Sequence, residues 1–133
     1  MRTALFALLL AIASPAFADL ERCAALDTNV DMSTCAWEEY QAADADLNRV
    51  WRQVLAQIGY TDPDIMPPDE IKAWRDALTS AQRSWAKFKD DDCQGAVMHE
   101  WWGGSGAGLA ISTCLYDHTV QRIKDLRTRY YLD

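Results

Sequence analysis

Residues 28–59, TNVDMSTCAWEEYQAADADLNRVWRQVLAQIG, decide the fold class of this chain. Their apolar side chains recur in steps of three and four residues, which places them on one face of a helix. Thr28 is followed three positions later by Asp31, the pattern of a capping box, and Gly59 is a common helix terminator. The sequence therefore predicts a first helix over about 29–58. Its apolar face consists of Ala36, Tyr40, Ala43, Leu47, Val50, Val54 and Ile58.

Two further helices are predicted after this stretch. Residues 60–68 have three prolines and no periodicity, which predicts a loop. Pro68 and the acidic residues after it suit the first turn of a second helix, which we expect to reach the segment 90–93. A glycine-rich loop is predicted over 99–108, and helical spacing returns over about 107–130.

These patterns predict an all-α protein. Three long amphipathic helices with short connections pack most simply as an up-down-up antiparallel three-helix bundle. No segment has the alternating β-branched pattern that a sheet requires.

The N-terminus has the features of a secretion signal. Arg2 precedes an apolar run over residues 5–12 that is too short to cross a bilayer, and Ala16-Phe17-Ala18 is a small-x-small cleavage site. We expect residues 1–18 to be a signal peptide cleaved after Ala18, and residues 19–133 to form one helical domain. The mature protein would then be periplasmic or secreted, without membrane insertion. An uncleaved anchor helix is the alternative.

All four cysteines, Cys23, Cys35, Cys93 and Cys114, fall in the part predicted to be exported. An even number of cysteines in a small secreted chain indicates disulfides, and three connectivities are possible. We favour Cys23 with Cys35 and Cys93 with Cys114, because each pair is near in sequence and flanks a loop or a helix start. Zinc binding is the alternative, but no close C-x-x-C pair is present and neither histidine lies at a finger-like interval.

The formal net charge is −7 at pH 7, and removal of the signal with Arg2 makes it one unit more negative. Nucleic acid is an unsuitable partner for such a chain, because phosphate binding depends on basic surface. An acidic surface favours encounters with cationic proteins or small cations, and it also serves solubility.

A recognisable spacing runs through the mature region: Cys23, Cys35, Ala43-Asp44, Leu47-Asn48, Ala81-Gln82-Arg83-Ser84-Trp85, Asp90, Cys93, Gly103-Gly104-Ser105, Cys114, Thr119, Arg122 and Leu126. With this spacing the chain resembles the LprI-like lysozyme inhibitor family of exported bacterial proteins, over nearly the whole mature region. Two substitutions depart from the family pattern, since arginine is usual where Lys89 stands and tyrosine where Trp51 stands. The resemblance implies the fold more directly than the activity, because many members have no known function.

Several polar residues lie on or beside the apolar stripes, and we interpret them as a structural hydrogen-bonded network that fixes helix register. A hydrolase that uses Asp44 or Asp90 as general acid or base is the alternative, but no nucleophile motif or histidine partner supports it. We therefore predict no enzyme activity, no cofactor and no metal; the run Asp90-Asp91-Asp92 lacks the glycine and spacing of a calcium loop. The network residues are Asp44, Asn48, Gln82, Arg83, Lys89, Asp90, Thr119 and Arg122.

The tryptophans fall into two groups. Trp37, Trp51, Trp74 and Trp85 occupy helical positions and are predicted to be scaffold residues. Trp101 and Trp102 precede the glycines, so they either fold back onto the Cys93–Cys114 bridge or contact a partner. The predicted partner-binding segment is Trp101, Trp102, Gly103, Gly104 and Ser105.

Together these features favour an exported helical protein that inhibits a lysozyme-type muramidase by blocking its cleft, with a cationic lysozyme as partner. The alternative is a cell-envelope structural or adaptor module that binds another envelope protein or a glycan.

Overall fold

The computed structural model describes residues 18–133, and the regular elements in that range are all helices, with no strand. The helices are α1 (Ala18–Ala24), α2 (Asn29–Gly59), α3 (Pro68–Asp90), α4 (Val97–Glu100) and α5 (Ala107–Tyr130). A π-helical segment, Asp91–Ala96, joins α3 to α4. The all-α prediction is confirmed. The predicted signal peptide lies outside the described residues except for Ala18.

The long helices begin and end close to the predicted positions because their signals are local. The Thr28 hydroxyl accepts a hydrogen bond from the backbone N–H of Asp31 at 3.1 Å and so caps α2. Pro68 opens α3, where its missing N–H has no cost, and Asp69 and Glu70 follow in the first turn.

Two segments differ from the prediction. No helix is predicted before Thr28, yet residues 18–24 form α1, which is fastened to α2 by the Cys23–Cys35 disulfide. The second helix was expected to stop at 90–93, but the helical path continues through the π segment and α4 to Glu100. The glycine loop is therefore shorter than the predicted 99–108. Both additions are short helices that depend on tertiary contacts for their stability.

The main core lies between α2, α3 and α5. α2 and α5 share the most extensive interface, and Ile58, Leu126, Val50 and Val54 are almost completely buried there. A smaller cluster of Cys23, Cys35 and Ala36, with Leu20 and Leu109 against it, seats α1. Both disulfides adopt the favoured pairing, Cys23 with Cys35 and Cys93 with Cys114.

The prediction that all four helical tryptophans are scaffold residues is wrong for Trp37, which is not buried in the core. Trp37 is 43% exposed and contacts Tyr40 on its own helix, because its neighbour Ala36 takes the fully buried position and successive helix residues point in different directions. Trp74 is 37% exposed and stacks on Tyr130. Trp51 and Trp85 pack partly buried against the core.

No helix among residues 18–133 is long and apolar enough to cross a bilayer.

Candidate functional site

The tryptophan loop, residues Trp101–Gly106, connects α4 to α5 by tight turns. The Gly104 N–H donates to the Trp101 carbonyl at 2.7 Å, and the Ala107 N–H donates to the Gly104 carbonyl at 3.0 Å. Trp102 and Gly103 have φ values of +52° and +68°, in the left-handed region. The backbone of this loop is therefore defined by its own hydrogen bonds.

The two tryptophans of the loop have different environments. Trp101 is 48% exposed and its ring lies against Gly106, where an added Cβ would be only 2.4 Å from Cζ3 of the ring. Trp102 is 95% exposed. Trp101 therefore packs back onto the protein, whereas Trp102 presents its whole side chain to solvent.

We expect Gly106→Ala to destabilise the protein by about 1–3 kcal/mol, the usual cost of overpacking, because the new methyl group and the Trp101 ring need the same space. Chemical denaturation measures the free energy of unfolding, and tryptophan fluorescence reports displacement of the ring. Gly95→Ala is the control, since an added Cβ there meets nothing within 4 Å. Equal stability of the Gly106 and Gly95 variants would contradict this packing.

Contacts on both sides anchor the tryptophan loop. The Asn29 side chain donates to the Ser105 hydroxyl at 2.8 Å, which ties the loop to the start of α2. The Cys93–Cys114 disulfide joins the π segment to α5, with the Cα atoms 5.5 Å apart. Of the five residues predicted to bind a partner, Trp101 and Ser105 thus also hold the loop in place, and Trp102 is the most exposed large hydrophobic residue of the described chain.

A groove of about 500 Å³ lies beside Trp101. Its wall is largely apolar, and Asn29, Thr113 and Asp117 supply polar groups. Loss of hydration raises the pKa of Asp117, and the neighbouring His118 opposes this shift. The groove combines an aromatic face with a few hydrogen-bonding groups, which is the usual composition of a ligand site.

The part of the molecule that carries the tryptophan loop is acidic. Segments 23–48 and 90–121 contain no lysine or arginine, and they carry six and five acidic residues respectively. The Asn29–Ser105 hydrogen bond and the packing of Leu109 against Cys35 and Ala36 bring these two segments together. The lysines and arginines lie mostly in the remaining parts of α2, α3 and α5, so charge is segregated along the molecule.

The sequence placed the acidic run Asp90-Asp91-Asp92 at the end of the second helix. In the structure the helical path continues from α3 through the π segment, so the run is not exposed at a free helix C-terminus. Its side chains have local partners. Asp91 pairs with Lys87 one turn earlier, and Asp92 lies 3.0 Å from Nε2 of His118. The Asp90 carboxylate is exposed and 3.8 Å from the Lys89 ammonium.

Most of the remaining predicted network residues have hydrogen-bond partners, some within one helix and one between two helices. The Asn48 side chain donates to the Asp44 carboxylate at 3.1 Å within α2, and Arg122 donates to Gln82 at 2.8 Å between α5 and α3. Burial lowers the pKa of Arg122. Thr119 is fully buried and donates to the Leu115 carbonyl of its own helix, while Arg83 is exposed.

Lys89 is a buried cation, with only 5% of its surface exposed. Its ammonium donates to the Tyr40 hydroxyl at 3.0 Å and lies 5.0 Å and 5.4 Å from the ring centres of Tyr40 and Trp85. Cation–π attraction and one hydrogen bond thus compensate part of the lost hydration. The compact ammonium fits this space without the forked geometry of an arginine.

We expect Tyr40→Phe to lower the free energy of unfolding by about 1.5–3 kcal/mol, because the buried ammonium loses its hydroxyl acceptor. Urea denaturation measures the change. Tyr60→Phe is the control, since Tyr60 is 88% exposed and its loss of a hydroxyl should have no effect. Unchanged stability of the Tyr40 variant would show that solvent reaches the Lys89 ammonium.

The sequence reasoning missed the contact between Asp92 and His118 beside the Cys93–Cys114 disulfide. A signal for it exists. Asp92 precedes Cys93, and His118 follows Cys114 by one helical turn, so the disulfide pairing itself brings the two side chains together.

Comparison with known proteins identifies the family. The family profile described as "Lysozyme inhibitor LprI" matches residues 21–126. An uncharacterized protein of Rhizobium meliloti (strain 1021) is 35% identical over 123 residues, covering 90% of this chain and 88% of that protein. No solved structure shows a significant match. The family match spans α1 to most of α5, and so includes both disulfides and the tryptophan loop: the chain belongs to the LprI lysozyme inhibitor family.

Proposed function

We propose that this protein binds and inhibits a lysozyme, and that the tryptophan loop enters the substrate cleft of the enzyme. The observation that carries the proposal is the 95% exposure of Trp102 at the tip of a loop whose backbone and flanks are fixed. Exposed tryptophans on a defined scaffold are frequent hot spots of protein interfaces. The family match supports lysozyme as the enzyme concerned.

The contacts that hold the loop in place favour this role. Binding orders the side chains and loops of an interface, and a loop that is already ordered loses less conformational entropy. The disulfide, the Asn29–Ser105 hydrogen bond and the seat of Trp101 on Gly106 all limit movement of the loop before any partner arrives.

The acidic end of the molecule favours a cationic enzyme. Opposite charges accelerate encounter and orient the partners, and they do so less as salt screens them. Segments 23–48 and 90–121, the second of which contains the loop, carry eleven acidic residues and no lysine or arginine.

We also propose that the first 18 residues are a cleaved signal and that the protein acts in the periplasm or outside the cell. The two disulfides, which persist in oxidising compartments, support this.

Contacts of Tyr40 with Lys89 and of Trp74 with Tyr130 support an up-down-up course of α2, α3 and α5.

The test is an inhibition assay with oxidised protein of residues 19–133 and lysozymes of several classes acting on cell-wall substrate. We expect one class to be inhibited at equimolar protein, with weaker inhibition as salt is raised. An absence of both inhibition and binding with every class would reject the proposal. Inhibition that does not respond to salt would reject the electrostatic part alone.

A second function, a cell-envelope adaptor that binds a glycan or another envelope protein, is favoured by the groove beside Trp101. Its aromatic face and the Asn29, Thr113 and Asp117 side chains suit a sugar. Pull-down from an envelope extract separates the two functions, because the adaptor requires a retained partner other than lysozyme.

A further inference from the structure

Four side chains with metal-binding atoms meet where the π segment crosses α5. Asp92, Cys93, Cys114 and His118 each supply one such atom, and these atoms all lie within 4.8 Å of one another. Nε2 of His118 is 3.0 Å from the Asp92 carboxylate, and Sγ of Cys114 is 4.0 Å from the same oxygen. Among residues 18–133 no other group of three or more such side chains meets these distances.

The two helical segments fix this arrangement. Cys114 and His118 are one turn apart on the same face of α5, and Asp92 and Cys93 are consecutive in the π segment. Phe88 contacts the His118 ring edge to face, with ring centres 5.4 Å apart, and so restrains its orientation. π-Helical turns are rare and occur frequently at functional sites.

We propose that this cluster is a redox-gated zinc site, in which reduction of the Cys93–Cys114 disulfide creates a Cys₂-His-Asp set of ligands. In the oxidised protein the two sulfurs are bonded to each other and do not act as thiolate ligands. Two thiolates, one imidazole and one carboxylate match the ligand types and the coordination number of structural zinc.

The reductant that the proposal requires is a dithiol, either a small molecule or a thioredoxin-like protein. One of its thiolates attacks Sγ of Cys114, the half-buried sulfur, and Cys93 leaves as a thiolate. The second thiol of the reductant then attacks the mixed disulfide and releases Cys114. The dithiol becomes a disulfide, and two electrons and two protons pass to the cysteines. Zn²⁺ displaces the two thiol protons when it binds.

The geometry requires little movement. With Zn–S bonds of about 2.3 Å, the two sulfurs of a tetrahedral site stand about 3.8 Å apart, which side-chain rotation at the π turn can supply. The histidine and carboxylate atoms are already within the range of a tetrahedron edge. An open groove of about 460 Å³, lined by Cys114, Asp117, His118 and Gln121, gives the ion a path to the site.

Zinc would thus replace one crosslink by another at the same position. The π segment and α5 would stay joined in both redox states, and the tryptophan loop between them would keep its anchor. The Cys23–Cys35 disulfide has no such neighbours among the described residues, so its reduction leaves only free thiols.

The experiment titrates Co²⁺, a spectroscopic substitute for Zn²⁺, into oxidised protein and into protein reduced anaerobically with a phosphine. We expect the reduced protein alone to bind one Co²⁺ per chain, with the d–d bands of a tetrahedral ion and thiolate-to-cobalt charge transfer, and Zn²⁺ to displace it. His118→Ala should weaken this binding by at least about 100-fold, because loss of a direct ligand should cost no less than the loss of an outer-shell partner, which costs about 10–100-fold. His99→Ala is the matched control, because His99 is exposed on α4 and should leave the affinity unchanged.

Circular dichroism follows helix content in the same samples. If the reduced protein loses helix, Co²⁺ should restore it in the wild type and not in the His118 variant. Reduced protein that binds no Co²⁺, folded or unfolded, would overturn the proposal. So would equal binding by the oxidised form, or an affinity that His118→Ala does not change.

Discussion

Replacement of Trp102 by alanine is expected to weaken binding to the inhibited lysozyme by about 30-fold, equivalent to about 2 kcal/mol, the threshold of an interface hot spot. The side chain is almost fully exposed in the free protein and contributes little to the fold, so the free energy of unfolding should stay the same. Isothermal titration calorimetry measures the affinity, and thermal denaturation measures the stability.

Tyr131→Ala is a closely matched control for this variant. Tyr131 is also a large aromatic residue with a φ of +52°, and it is 90% exposed, but it lies at the end of α5 far from the tryptophan loop. Its removal should leave the affinity for lysozyme unchanged. Equal affinities of the two variants and the wild type would place the contact surface elsewhere on the molecule.

Replacement of Cys93 and Cys114 by serine, measured in metal-free buffer, is expected to lower the free energy of unfolding by about 3 kcal/mol and to abolish most of the inhibition. The stability loss follows from the added entropy of an unfolded chain without a crosslink across 21 residues. The loss of inhibition follows from position, since this disulfide holds the two segments that flank the tryptophan loop. Chemical denaturation and the inhibition assay check the two effects.

The double replacement of Cys23 and Cys35 by serine separates the effect on stability from the effect on inhibition. This disulfide spans 12 residues, so its removal should cost a similar amount, also about 3 kcal/mol. It fastens α1 and does not touch the loop, so inhibition should persist under conditions in which the variant is folded. Loss of inhibition in both variants, in proportion to stability, would mean that the loop has no special dependence on its own disulfide.

The sequence predicted the long helices well because their signals are local. The cap at Thr28, the proline at the start of α3 and the steps of three and four each act within a few residues. α1 and α4 have no such signal. α1 has seven residues and α4 has four, too few to be stable alone, so their existence depends on a disulfide and on neighbouring helices.

The candidate site was predictable as a segment but not as individual side chains. The glycines after Trp102 marked a loop, and the chemistry of tryptophan marked a contact residue. Which tryptophan folds back depends on the positive φ of Trp102 and on the space above Gly106, and both are properties of the folded backbone. The prediction for Trp37 was wrong for a related reason. Helical spacing alone does not reveal which face a long helix buries along each part of its length.

The segregation of acidic and basic residues along the helices gives the molecule a permanent electric dipole moment. Near any positively charged surface this moment produces a torque that rotates the protein during diffusion, before the two surfaces touch. If the tryptophan loop contacts a cationic enzyme as proposed, this rotation increases the fraction of collisions in which the loop faces the partner. The charges on the helices would thus help to orient the protein, in addition to the structural role of the helices.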